Sequence, residues 1–490
     1  MRRMSQSRVA VRSMFAATIG MALASGHQVA QAAQSDVDIF RSLVVTEQPI
    51  LARFSFQRVM DQLVAQSGVP GLTSLTLFHQ WWDTQNPASE GVGPGVHCDS
   101  SSAFGGGPGI NSYPYLCRPA SLNHEGAEAS SNPFINPGTN PGEYIPIGLF
   151  NRFDLAPANG ANCGEHRIVY ARRSGITDGR NRNLIIFEAS MPNPHLNQGL
   201  KGCDKIVKFW ANLSKTSDLS KRADDLEDFY FNGVANLPPV VEISHYGDNA
   251  TGVGQIRTNQ FMQPAPTTPL VWNLREFKLR RTCSGGTCSA MNVLPVTDKT
   301  NPFGPLFSPA GTHPQKPPFE TEFVTQVEDL ASATLAGINM KTSDVFNGPQ
   351  SLASGSTENN YLTQFAGPSA LRNNIQSSLT SLGSTLSPDD IVKRARALSC
   401  AGCHRLSGNN ALPADNEVGG GLVWPASLGF THVTEQATTV GADGITRFNL
   451  SPALLNNFLP KRKEVLDDFL DNKPKNTKNP DDPIGGRRVH

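Results

Sequence analysis

Near the carboxyl terminus of this chain stands Cys400-Ala-Gly-Cys-His404, two cysteines three apart with a histidine directly behind the second. Any fold must accommodate that grouping, because residues three apart share one face of a helix. The run in front of it reads as a helix: Ser387 is an N-cap, Pro388 takes the first helical position, and Asp389 and Asp390 complement the dipole of the first turn. As one continuous helix, this segment delivers both sulfurs to the same face. Such a pair can close a disulfide, supply half of a zinc site, or carry a group bound through sulfur. Compartment, and the other ligands available, decide between these.

Residues 1–32 read as a cleavable signal peptide. Arg2, Arg3, Arg8 and Arg12 make its positive region, Met14 to Ala24 its short apolar stretch, and Ala30 and Ala32 its cleavage site. That apolar stretch is too short to span a bilayer, and no longer one follows, so the mature chain has no transmembrane segment and is periplasmic or secreted. The full chain holds 42 basic and 42 acidic residues. The signal removes four arginines and no acids, leaving 38 against 42, a formal charge of −4. This balance gives no electrostatic footprint for nucleic acid.

Eight cysteines in an exported chain are read first as disulfides. Six fall into a sequential set, Cys98 with Cys117, Cys163 with Cys203, and Cys283 with Cys288, among fifteen possible connectivities. The last pair closes "CSGGTC", a Gly-Gly turn between strand-like runs. Cys400 and Cys403 remain for other chemistry.

The expected organisation is an α+β domain of unassigned role over 33–350, a polar linker over 351–386, a mainly α module over 387–475 and a disordered tail over 476–490. "ILARFSFQRVMDQLVAQSG" has helical spacing and a glycine stop. "YIPIGLFNRFDLA", "HRIVYARR", "NLIIFEAS", "PPVVEISHYG", "GQIRTNQFM" and "PLVWNLREFKLRRTC" read as strands, while "GCDKIVKFWANLS" and "SKRADDLEDFYF" read as helices. Their order is mixed rather than alternating, which favours α+β over a doubly wound sheet. In the C-terminal module, "SPALLNNF" and "LPKRKEVLDDFL" are the closing helices.

A thioredoxin-type C-x-x-C needs a βαβ context that the text around Cys400 lacks. Zinc needs a second pair of ligands at finger or ribbon spacing, and none follows. C-x-x-C-H in an exported chain is the signature of covalent haem attachment. Each thiol adds across one haem vinyl group, and His404 is then placed to reach the iron as proximal ligand. Residues 387–471 accordingly resemble a single-haem c-type cytochrome domain: helix, "CAGCH", long loop and closing helices. The resemblance covers about a fifth of the chain. It implies one covalent haem c and electron transfer with a redox partner protein or a small-molecule donor or acceptor. Cytochromes of this kind commonly use a downstream methionine as second axial ligand, but the last methionine here is Met340. His432, 28 residues after His404, is therefore the candidate distal ligand. Trp424 and Phe430 are the candidate pocket walls, with Leu428 beside them.

The segment before residue 350 resembles parts of secreted bacterial proteins, a likeness that implies no activity. It holds no H-E-x-x-H, G-x-S-x-G, phosphate loop or dinucleotide fingerprint. Glu165 and His166 are adjacent on a strand and so face opposite ways. His79 and His195 read as structural. Catalytic residues are not identifiable, and whether the chain is an enzyme stays open. Beside electron transfer stand two alternatives: a haem enzyme of peroxidase or oxygenase kind, or a sensor, with an open sixth position; and a cell-envelope binding protein with structural haem.

Overall fold

The strand-forming runs pair with one another into a single eight-stranded antiparallel sheet in a computed structural model, which describes residues 37–83, 102–116, 128, 131–262, 270–353, 358–406, 416–473 and 480–486. The expected signal peptide and the expected Cys98–Cys117 bridge lie outside the described residues. The strands are β1 (Val44–Val45), β2 (Tyr144–Arg152), β3 (Asn162–Arg172), β4 (Asn183–Pro192), β5 (Gln255–Met262), β6 (Val271–Ser284), β7 (Thr287–Val296) and β8 (Ser351–Ala353). They run in spatial order from β1 to β6, and β7 and β8 both pair with the far edge of the long β6.

Side chains alternate between the two faces of a strand, so the register sorts the sheet into two surfaces. One surface carries the row Leu149, Ile168, Phe187, Ile256 and Phe277, directly opposite one another across five strands and fully buried. Helices α1 (Phe56–Ser67) and α2 (Ser74–Asp83) cover it, with Phe56 and Trp81 set against Phe187. Ser55 caps α1 and Gly68, at φ +64°, ends it, matching the glycine stop expected there. Helices α3 (Asp204–Leu213) and α4 (Leu219–Glu227) follow their expected segments. "PPVVEISHYG" is not a strand. It forms a 3-10 turn over Ile243–Tyr246, and Gly247 at φ +107° takes the chain out of extended conformation.

The other surface carries Arg152, Arg167, Glu188, Arg257 and Glu276, and it is buried as well. The C-terminal segment covers it, so the expected separation of 387–475 from 33–350 does not describe the packing: Val37–His490 forms one unit. Nor is 351–386 a polar linker. Its first residues are β8 of the sheet, and α5 (Ala370–Ser381) buries Leu371, Ile375 and Leu379 along one side. The C-terminal segment is also less helical than expected. After α6 (Pro388–Leu398) and α7 (Cys400–Leu406) comes a hairpin, β9 (Val433–Val440) with β10 (Thr446–Leu450), and then α8 (Leu459–Leu470). "SPALLNNF" supplies a π turn over Leu454–Phe458 leading into α8. The expected disordered tail is partly ordered: Ile484 and Gly485 donate backbone hydrogen bonds to Ala156 and Asp154.

Two of the three expected disulfides are present, Cys163–Cys203 and Cys283–Cys288. The second ties the β6–β7 hairpin at its Gly-Gly turn, as the spacing suggested. No helix among the described residues is long and apolar enough to cross a membrane.

Candidate cofactor site

Ser387 caps α6 as the sequence indicated, and Asp390 bonds back to it in a reciprocal capping box. The helix does not run on to the cysteines. It ends at Ser399, whose backbone is extended (ψ 154°), and α7 begins afresh with Cys400. The Ser399 hydroxyl donates to the Arg396 carbonyl and accepts from the Gly402 amide. The break is tight: a Cβ on Gly402 would stand 1.6 Å from the Arg396 carbonyl oxygen. Only glycine fits the middle of this motif.

α7 lies on the polar surface of the sheet. The Ala401 amide donates to the Ser351 hydroxyl of β8 at 2.8 Å, and Cys400 and Ala401 pack with Trp272 and Leu274 of β6. Cys400 and Cys403 are fully buried reduced thiols, so the disulfide alternative is not formed. Burial pushes the Cys400 thiol well above its ordinary range.

His404 is held from two sides. The Trp272 indole stacks on its ring at 4.5 Å with 26° between the planes. Its Nδ1 lies 2.7 Å from the Phe430 carbonyl oxygen, which only accepts, so the proton sits on Nδ1. The same carbonyl accepts from Asn259 Nδ2 at 3.3 Å, and Asn259 Oδ1 accepts from the Trp272 indole N–H. Phe430 has φ +69°, costly for a phenylalanine, and that conformation aims its carbonyl at His404. Burial lowers the His404 pKa to about 4. His432, lowered further by burial and by neighbouring His404, is neutral too. Neutral imidazoles are what metal ligation requires.

The loop carrying Phe430 and His432 is fixed by the residue just ahead of β4. Buried Arg182 pairs with Glu435 at 2.8 Å and donates to Thr434 Oγ1 and to the Leu428 and Gly429 carbonyls. His432 Nδ1 lies 2.9 Å from Ser451 Oγ, and its ring centroid is 5.1 Å from that of His404. His432 Nε2 also stands 3.8 Å from Cys403 Sγ.

Cys400, His404 and His432 line one cavity of about 90 Å³, backed by the sheet. That volume is below the roughly 300–1,000 Å³ of small-molecule pockets. Part of its wall is aliphatic, including Val169, Leu184, Ile186 and Leu274, and part is charged, with Arg152, Arg167, Glu188, Arg257 and Arg462. The expected wall residues stand elsewhere. Trp424 donates its indole N–H to Cys403 Sγ at 3.3 Å, behind the motif. Phe430 contributes its carbonyl, while its ring packs on Phe261. Trp272, Asn259, Arg182 and the sheet arginines were not singled out by sequence, because what assembles them is strand register.

The remaining candidates stay apart from this site. Buried His166 accepts from the Trp210 indole N–H on the other surface of the sheet, while Glu165 pairs with Arg167 on the cavity side. They face opposite ways, as expected. His79 is bonded to the Ser131 carbonyl, and His195 sits at the surface. Among the described residues no three His, Cys, Asp or Glu side chains converge as a metal-binding group. A closed zinc cage of protein ligands is therefore not present among them. No protein-family model, curated protein or solved structure matches the chain.

Proposed function

We propose that this is an exported carrier of one covalent haem, joined to Cys400 and Cys403, ligated by His404 and used for electron transfer with a partner. The reading rests on one observation: both ends of the motif, Cys400 and His404, face the same cavity, with His432 on its wall. Haem bound there supplies one-electron chemistry at its iron. The chain's own residues do the rest. Phe430 holds the His404 tautomer, Trp272 holds its plane, and the aliphatic wall keeps water from the site. His432, neutral and 5.1 Å from His404 between ring centroids, is the residue best placed to serve as a second axial ligand.

The 3.8 Å contact between His432 Nε2 and Cys403 Sγ favours a second reading. In it His432 braces the attachment sulfur and the sixth position opens to the cavity, as an enzyme or sensor would need. Absorption spectra of the matured protein and of His432→Ala, with and without carbon monoxide or cyanide, separate the two. Axial ligation by both histidines gives a wild-type spectrum that added ligand does not change and a variant spectrum that it does. Immediate ligand uptake by the wild type supports the open position. Protein matured by a cytochrome c-assembling host yet lacking covalent haem defeats both.

A further inference from the structure

Arg167 and Arg257 also line a second cleft, of about 230 Å³, together with Glu165, Ser190, Lys299 and Thr300. Its guanidiniums are already engaged: Arg167 bonds Glu165 and Glu188, and Arg257 bonds Glu188 and Glu276, at 2.6–3.2 Å. Three other donors in the lining are not. Ser190 is only 7% exposed, and neither its hydroxyl nor that of Thr300 is bonded among the described residues. Lys299 gives one N–H to Gln255 Oε1, and Glu276 at 3.8 Å stands beyond hydrogen-bond reach, so the ammonium keeps donors to offer. Charge is out of balance in the same place. Lys278 bonds the Gly252 and Gly254 carbonyls and no carboxylate among the described residues. Around the cleft, the four cations Arg167, Arg257, Lys278 and Lys299 therefore meet three carboxylates, Glu165, Glu188 and Glu276. Burial and neighbouring Lys299 lower the Lys278 pKa to about 8.

The turn that carries two of these donors is strained. Thr300 sits at φ +55°, a conformation costly for a β-branched residue and free for glycine. Its flanks impose it. The Asp298 amide donates to the Gly348 carbonyl at 2.9 Å, the Asn301 amide to Asn347 Oδ1 at 3.0 Å, and Asn301 Nδ2 to the Gln350 carbonyl at 2.8 Å. Strain of this kind persists where the surroundings over-determine it, and it collects at binding sites. What threonine gives in exchange for the strain is a hydroxyl on the cleft. We propose that Ser190, Lys299 and Thr300 form a binding site for a small oxyanion, a phosphate or the carboxylate of a short organic acid, with two hydroxyls and an ammonium donating to its oxygens. The anion takes up the surplus positive charge. The cleft is smaller than the roughly 300–1,000 Å³ of drug-sized pockets, which confines the ligand to a few heavy atoms. This site does not depend on the haem reading.

The test uses the full mature chain, titrated calorimetrically with phosphate, sulfate and acetate at an ionic strength held constant with chloride. At least one of the three is expected to bind one to one and to raise the melting temperature above that in chloride alone. Phosphate or sulfate as the tighter ligand assigns the site to tetrahedral anions, and acetate assigns it to carboxylates. Lys299→Gln should weaken binding at least about tenfold, the scale of a hydrogen bond to a charged group. Thr300→Gly separates binding from folding, because it removes the hydroxyl and the strain together. Without ligand its melting temperature should rise above wild type while its affinity falls, and Thr300→Ser, which keeps the hydroxyl, should bind nearly as wild type does. A wild type that discriminates none of the three anions from chloride overturns the inference. So does a Thr300→Gly or Lys299→Gln variant with wild-type affinity.

Discussion

At the scale of single residues, two buried groups carry consequences of opposite sign. Gly402 is fixed by sterics, since its missing side chain leaves room for the Arg396 carbonyl. Gly402→Ala should lower stability by about 1–3 kcal/mol or more, as overpacking does, seen as a reduced melting temperature; an unchanged one would mean that α7 can shift away. Asp298 is the reverse case. It is fully buried, and neither carboxylate oxygen meets a hydrogen-bond partner among the described residues. Burial, reinforced by nearby Glu276, pushes its pKa well above the usual carboxylate value. The unfolded chain loses that proton near pH 4. Between there and the raised folded value the native state therefore holds the extra proton, and stability falls as pH rises through that window. Asp298→Asn should gain about 1–3 kcal/mol at pH 7, with the gain vanishing below about pH 4. Thermal unfolding at the two pH values checks this, and a variant no more stable at pH 7 contradicts it.

At the scale of elements, the loop between residues 428 and 435 depends on one guanidinium. Removing Arg182 leaves Glu435 buried without its partner, which costs about 3–5 kcal/mol and should release Phe430 and His432 together. Hydrogen exchange across 428–435 in Arg182→Ala should rise well above wild type while β3 and β4 stay protected; unchanged exchange would show the loop to be held by other contacts. Elements were also where the sequence was most legible. The caps of α1 and α6, the runs of β2 to β6 and the Cys283–Cys288 hairpin follow from periodicity and turn chemistry. So does the gathering of Cys400, Cys403 and His404, which adjacency in the chain ensures. The hairpin of β9 and β10 was hidden because Thr434, Glu435 and Gln436 read as polar loop. The break at Ser399 was hidden because helical spacing runs straight across it. The charged half of the cavity was hidden for a different reason. Arg167, Glu188 and Arg257 occupy positions that look solvent-facing along their own strands. Only the segment laid over them, more than 130 residues later, makes them interior.

At the scale of the whole molecule, the two ends of the chain hold each other. Buried Glu47 accepts from Arg222 at 2.5 and 2.9 Å and from Arg447 of β10 at 3.1 Å, joining residues 400 positions apart. A molecule stitched this way should unfold in one calorimetric transition. Residues 387–490 expressed alone should show no cooperative melt, whereas two transitions, or a folded fragment, would restore the separate module that the sequence suggested. Glu47→Ala should lower the midpoint sharply, since it leaves the buried Arg222 guanidinium uncompensated while Arg447 keeps Asp443, a loss of about 3–5 kcal/mol. Such closure also sets an order of events. With Cys400 packed against the sheet and Cys403 buried beside Trp424 and His432, a finished molecule offers neither sulfur to an enzyme or an alkylating reagent. Anything joined to them would have to arrive while the newly made chain is still open, before the sheet shuts behind it.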